Sequence, residues 1–161
     1  MQTRHATQAD LEPATLILHN TALRLENAGQ PLWNPLSFTA ETLELILRAG
    51  ELCVAALEGK VIGVMYLQER DAAFWSDVPP DESLFIHKLA VDNAMRGRGV
   101  STALLEFARI EALAQGKRWL RLDCADRPKL RAVYERFGFQ FRDSRVVNNV
   151  QICRYELSLE I

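Results

Sequence analysis

The run from Leu84 to Ala114 restricts the possible folds more than any other stretch, because it joins a short apolar segment to an amphipathic helix through a glycine-bearing turn. Its first part, Leu84-Phe85-Ile86-His87-Lys88-Leu89-Ala90-Val91, is rich in strand formers and almost wholly apolar, as a strand buried on both faces would be. Next comes Met95-Arg96-Gly97-Arg98-Gly99-Val100-Ser101-Thr102. Val100, Ala103, Leu104, Phe107, Ile110 and Ala114 then recur at spacings of three and four, which predicts one apolar helical stripe with Glu106 and Arg109 opposite. A helix that starts inside such a turn presents unpaired N–H groups and the positive end of its dipole, so an anionic ligand, a phosphate above all, is expected there.

Charge along the chain supports that expectation. Between Ile86 and Arg136 eleven Lys/Arg face six Asp/Glu, a balance of +5, whereas the remainder of the chain carries −7. Ordinary fluctuation of surface charge is the bland alternative. Nucleic acid is a poor explanation, because the pI is near 5.9 and no dense basic run occurs. A length of 161 residues predicts one domain, spanning 1–161, with a single core. No apolar run of signal-peptide length opens the chain and no window reaches the ~18 apolar residues of a membrane span, so no membrane and a cytoplasmic location are expected. Cys53, Cys124 and Cys153 lie far apart in apolar strand-like segments without CxxC spacing, which predicts buried thiols and no metal site.

In chain order, Thr3 to Ala6 reads as a short strand, followed by a helix capped by Asp10, with Leu11, Ala14, Leu18, Ala22 and Leu25 inward and Gly29 ending it. Gln30 to Phe38 reads as a loop whose Leu32 and Trp33 either plug the core beneath it or face a substrate. Thr39 caps a second helix to about Arg48. Leu52–Leu57 and Val61–Leu67 follow as strands around a tight Glu58-Gly59-Lys60 turn, and Gly63 suggests a bulge or a close backbone approach. Glu69 to Ser83 shows no periodicity, as a binding loop or a mobile connector would. After the central helix, Arg118–Ala125 predicts a strand, Pro128 opens a short helix ending near Gly138, and Phe139–Arg142 and Val146–Leu159 supply strands turning at Asp143-Ser144.

This order predicts an α/β (α+β) fold with a mixed, mostly antiparallel central sheet covered by helices on both faces. At three points the chain resembles the GNAT (N-acetyltransferase) superfamily of acyl-CoA-dependent acyltransferases. These are Leu89-Ala90-Val91 at the end of the central strand, Arg96-Gly97-Arg98-Gly99-Val100-Ser101 at the turn, and Tyr134-Glu135-Arg136-Phe137-Gly138-Phe139 downstream. The order and spacing match over about Leu84 to Phe139. The resemblance implies acetyl-CoA or another acyl-CoA as co-substrate, with its pyrophosphate held by the N–H groups of Arg98, Gly99, Val100, Ser101 and Thr102. Arg96 would shape the turn and add charge, Gly97 would belong to the same turn, and the pantetheine arm would pair along Leu89, Ala90 and Val91. Ser101 departs from the family's Gly or Ala but stays small. No Gly-Lys-Ser/Thr completes a P-loop.

The resemblance further implies transfer of an acetyl or short acyl group to a primary amine, small molecule or peptide, by direct attack. Tyr134 matches the family's general acid, its alternative being a core tyrosine. For the base, His87 is a candidate because histidine as a residue type titrates near neutral pH, but alternation predicts it on a face with Phe85, Leu89 and Val91, as a core histidine would be. Asp123 is a second candidate, with an ion pair to Arg121 the simpler role, and a water chain is a third. Arg127 stands where many relatives carry Asn, and it either faces solvent or reaches a CoA phosphate or an acidic substrate. Acceptor contacts are expected from Asn27–Phe38, Glu69–Ser83 and Ser144–Asn149, and Asp71, Asp77, Asp81 and Glu82 would suit a cationic acceptor. A catalytically silent module that binds CoA or acyl-CoA as a sensor or partner surface is the rival function, and the chain is expected as monomer or homodimer.

Overall fold

In the computed structural model, which describes residues 1–160, the apolar segments become seven strands. They are β1 (Gln2–His5), β2 (Leu52–Leu57), β3 (Lys60–Gln68), β4 (Ser83–Val91), β5 (Trp119–Ala125), β6 (Gln140–Val147) and β7 (Val150–Ser158). The helices are α1 (Leu11–Asn27), α2 (Ala40–Arg48), α3 (Val100–Ala114) and α4 (Pro128–Phe137). The sheet order is β1-β2-β3-β4-β5-β7-β6. The β1–β2, β2–β3, β5–β7 and β6–β7 pairs are antiparallel and β4–β5 is parallel, and parallel neighbours need the long crossover that α3 supplies. Two compact units form, one of residues 1–66 with 88–107, the other of 67–87 with the chain from 108 onward.

In the first unit, alternation along β1 and β2 sends side chains to two faces. On one face Leu52 and Val54 join Val61, Val64 and Tyr66 of β3 in a core with Leu11, Ala14, Ile17, Leu18 and Ala22 of α1 and Leu43 of α2. On the other, His5 meets Phe107 of α3 edge to face, their centroids 5.4 Å apart. Trp33 packs against the first core and lies edge-on to Phe38 at 5.8 Å, so it plugs the core. Asp10 serves differently from a plain N-cap. Its carboxylate accepts from Arg4 at 2.6 and 3.1 Å and reaches back to the Thr7 N–H at 2.7 Å, fixing a 3-10 turn ahead of α1.

Gly63 satisfies both expectations made of it. The β2–β3 register slips at Ala55/Ala56, which leaves Ile62 as the extra residue of a bulge, and α3 crosses directly over the glycine. A Cβ at Gly63 would stand 2.6 Å from Val100 Cγ1 and 3.1 Å from Leu104 Cδ1. The buried stripe of α3 is Val100, Leu104, Leu105, Ala108 and Ala112, whereas Ile110 is 51% exposed and corrects the predicted stripe. The reason is the 100° turn per residue, which admits two adjacent stripes of similar apolarity in this alanine-rich helix.

In the second unit the pairings of β5 and β7 sort side chains cleanly. Trp119, Arg121 and Asp123 share one face with Arg154 and Glu156, while Leu120, Leu122 and Cys124 share the other with Cys153 and Tyr155. Helix α4 covers the second face, where Arg131 Nε donates to Tyr155 Oη at 2.7 Å. The first face is covered by the segment between β3 and β4, whose buried Trp75 lies 4.4 Å from the Arg154 guanidinium and 5.4 Å from that of Arg121. Arg154 is fully buried. It donates to Asp143 at 2.7 Å from both Nε and Nη2, to Asp77 at 2.7 and 3.1 Å, and to the Phe74 carbonyl at 3.1 Å. This network explains why the final hairpin turns at Asn148-Asn149 and not at Asp143-Ser144. Asp143 is needed inside β6 opposite Arg154, and both asparagines adopt the positive φ that asparagine tolerates.

Substituting Gly63→Ala should cost about 1–3 kcal/mol by overpacking, because the β-branched Val100 has little rotamer freedom in a helix. Urea denaturation would measure this, and Gly63→Ala with Val100→Ala should recover part of the loss. The Arg154 network makes a second prediction. The bond to Arg154 holds the Asp77 and Asp143 carboxyls below their usual range. A folded value lower than the unfolded one gives stabilisation that is full above about pH 3.9 and is lost as pH falls through the folded values. Thermal melts of the wild type should therefore weaken in acid. Asp77→Asn with Asp143→Asn should flatten that acid slope and cost about 3–5 kcal/mol at neutral pH, because a buried guanidinium then lacks its counter-charges.

Candidate active site

The first cluster lies wholly in the first unit and is built around the start of α3. Asp92 closes a 3-10 turn at Asn93–Met95, its Oδ1 accepting the Ala94 N–H at 3.1 Å and its carbonyl the Met95 N–H at 2.8 Å. The chain then swings through Gly97 at φ +75° and Gly99 at φ +79°, conformations that any side chain would strain. Nothing lies within 4 Å of a Cβ placed on either glycine, so the backbone is open to an incoming group. The first helical bond is Ala103 N–H to Gly99 O at 3.0 Å, which leaves the N–H groups of Val100, Ser101 and Thr102 ahead of it without helical acceptors. Arg96, Gly97, Arg98, Gly99 and Thr102 are exposed and Ser101 half-buried, while Val100 is buried as the anchor against Gly63.

Arg24 of α1 adds to this charge, although nothing in its spacing had marked it. Burial first and then the charge of Arg96 push its pKa down. Leu89, Ala90 and Val91 end β4 close by, and the Asp92 N–H donates to the Ile62 carbonyl of the β3 bulge at 2.9 Å. Lys88, at φ +54°, takes a left-handed conformation inside β4 and its ammonium lies 5.2 Å over the Trp33 ring. That one residue breaks the alternation from which His87 was expected on a face with Leu89 and Val91.

The second cluster belongs to the second unit. The β4–β5 ladder pairs Ser83–Ile86 with Trp119–Leu122 and ends one residue before His87 and Asp123. Here the His87 ring meets Asp71, Nε2 to Oδ2 being 3.0 Å, and Asp123 brings a carboxylate to within 4.8 Å of both. The His87 side chain is 19% exposed, so water reaches it, whereas Asp71 is buried at 4%. Burial pushes the Asp71 carboxyl up, but His87 and the Phe74 N–H outweigh it and the net direction is down, which keeps it ionised. On the α4 side of the sheet, Tyr134 is buried edge-on to Phe139 at 6.1 Å. Burial first, then Cys124 and Asp123, push its phenol up from 10, so it carries its proton at any physiological pH.

Several expectations change. Arg121 is engaged by other acids than the expected Asp123. Its guanidinium bonds Glu82 at 2.8 Å and Glu156 at 3.2 Å instead, because both acids reach the buried end of β5 from neighbouring segments. Asp77 and Glu82, considered for a cationic acceptor, are engaged by Arg154 and Arg121. Arg127 is half-buried at the N-cap position of α4, where its backbone carbonyl accepts the Arg131 N–H at 2.9 Å. The contact of Asp71 with His87 was missed, since sixteen positions and an aperiodic segment separate them. The three cysteines are free and buried, with burial pushing the Cys124 thiol up to about 12. No helix among the described residues is long and apolar enough to cross a membrane.

Comparison with known proteins places this arrangement. The Acetyltransferase (GNAT) domain family matches residues 48–141, which include the central strand, the glycine turn and Tyr134. An uncharacterised N-acetyltransferase of Bacillus subtilis, YesJ, is 29% identical over 143 residues, covering 84% of this chain and 79% of that protein. A GNAT-family acetyltransferase from Listeria monocytogenes superposes with a TM-score of 0.79 at 25% identity, over 97% of this chain and 94% of its own. An aminoglycoside 6′-N-acetyltransferase solved with coenzyme A shares the fold at 13% identity, with a TM-score of 0.75 over 100% and 98% of the two chains. The family match spans more than half of the chain, and the chain belongs to the GNAT acetyltransferases.

Proposed function

We propose that the protein transfers an acetyl or other short acyl group from acetyl-CoA, or a related acyl-CoA, to a primary amine by direct attack in a ternary complex. The observation that carries this reading is the open turn at Gly97 and Gly99, set against the N-terminus of α3 and flanked by Arg24 and Arg96. It suits a pyrophosphate, which needs several converging N–H donors and no side chain in the way. In this reading Arg98, Gly99, Val100, Ser101 and Thr102 bind through their N–H groups and Arg96 adds charge. Leu89, Ala90 and Val91 align the pantetheine arm beside β4. The donor supplies a thioester, and the chain's residues handle the protons. His87 takes one from the attacking amine as the C–N bond forms, and Tyr134 gives one to the sulfur as the C–S bond breaks. A phenol held protonated by burial suits the second task.

Release of free thiol from acetyl-CoA in the presence of a panel of primary amines tests the reading directly. Acetyl-CoA binding without turnover on any acceptor would instead make the protein a silent CoA-binding module. Tyr134→Phe should lower kcat by about 10²–10⁴ with little change in the KM for acetyl-CoA. A wild-type rate in the folded variant would remove Tyr134 from the chemistry. Gly99→Val should raise the Kd for CoA by about tenfold or more in calorimetric titration, since a β-branched residue at positive φ strains the turn.

A further inference from the structure

Asp71 is fixed by its own turn. Its Oδ1 accepts the Phe74 N–H at 3.0 Å and its carbonyl accepts the Trp75 N–H at 3.1 Å, so the carboxylate is part of the turn that carries the buried tryptophan. Trp75 is in turn packed on the Arg154 and Arg121 guanidiniums. With Oδ1 used by the backbone, Oδ2 remains, buried, 3.0 Å from His87 Nε2 and without a formed hydrogen bond. A buried carboxylate oxygen without a hydrogen bond is costly, and an imidazolium donating from Nε2 is the group that would satisfy it.

We propose that Asp71 is a positioning residue for the base: it orients His87 through Nε2 and holds the imidazolium that forms when His87 takes the acceptor's proton. This rests on the acyl-transfer reading above. With Nε2–H directed at Asp71, the nitrogen left to accept a proton is Nδ1. The proton lost by the amine ends on Nδ1 and leaves later to water, so charge balances within the pair. The groups that face His87 are Asp71 from the segment after β3 and Asp123 from β5. The cation therefore forms between two carboxylates. Sequence spacing could not reveal the pair, because the Trp75–Arg154 packing that brings Asp71 to the ring is tertiary.

The test uses the whole chain with acetyl-CoA and the best amine of the thiol-release panel, comparing wild type, Asp71→Asn, Asp71→Glu and His87→Gln across pH. Asp71→Asn should lower kcat at least tenfold, leave the KM for acetyl-CoA unchanged and move the acidic limb of the rate profile, while Asp71→Glu recovers part of the rate. His87→Gln should abolish that limb. Nitrogen-15 NMR of the wild-type ring should show the Nε2–H tautomer, a measurement that stands even if Asp71→Asn fails to fold. A Nδ1–H tautomer overturns the proposal, as does an Asp71→Asn profile that superimposes on the wild type while His87→Gln alters it. An unchanged His87→Gln profile removes His87 as base and the proposal with it. No thiol release by the wild type defeats the acyl-transfer reading itself. Activity lost to a chelator and restored by Zn²⁺ or Mn²⁺ would make the three residues a metal site and overturn the proton role.

Discussion

A fully buried guanidinium is tolerable only with its charge answered on the spot, and Arg154 sets that requirement for the second unit. Asp77 and Asp143 answer it from different segments, one from the stretch before β4 and one from β6. The stretch between β3 and β4 is anchored through Trp75, which lies on three guanidiniums, those of Arg154, Arg121 and Arg142. Because Trp75 and Asp71 share one turn, the same packing sets the carboxylate beside His87. An electrostatic need of β7 thereby reaches His87 of β4.

The sheet also separates the two groups to which the proposed reaction assigns a proton. Alternation along β5 puts Asp123 on the face of the ion-pair network and Cys124 on the face of α4. His87 and Asp71 join Asp123, while Tyr134 is buried among Cys124 and Phe139. A wetter, charged face suits a base that must exchange its proton with water. A dry face suits a phenol that must keep its proton until a better acceptor forms. In the first unit a different constraint governs the start of α3. The absence of a Cβ at Gly63 lets Val100 seat against β3, which sets where the N-terminus of α3, and the anion turn with it, can lie.

Much of this was legible in local pattern. The turn at Arg96–Thr102 was readable because positive φ at Gly97 and Gly99 is a backbone demand that glycine alone meets cheaply, and the Thr39 cap because its oxygen accepts the Thr42 N–H at 3.2 Å. Failures share another character. Ile110 was placed on the buried stripe because periodicity cannot choose between adjacent apolar faces, and the final turn was set at Asp143-Ser144 because turn propensity says nothing of Arg154. Arg24, Asp71 and the partners of Arg121 depend on residues tens of positions away.

By itself the sequence determined the elements, their order, the glycine turn and the family motifs, since each follows from backbone preferences and burial within a few residues. Tertiary structure alone decided which charged groups are spent on one another and which are left beside His87. Arg121, Asp77 and Glu82 become scaffold, and Asp71 becomes the partner of the candidate base. The physical reason is that an ionised side chain is worth little until it is desolvated, and its desolvation is set by strands and segments that meet only in the fold.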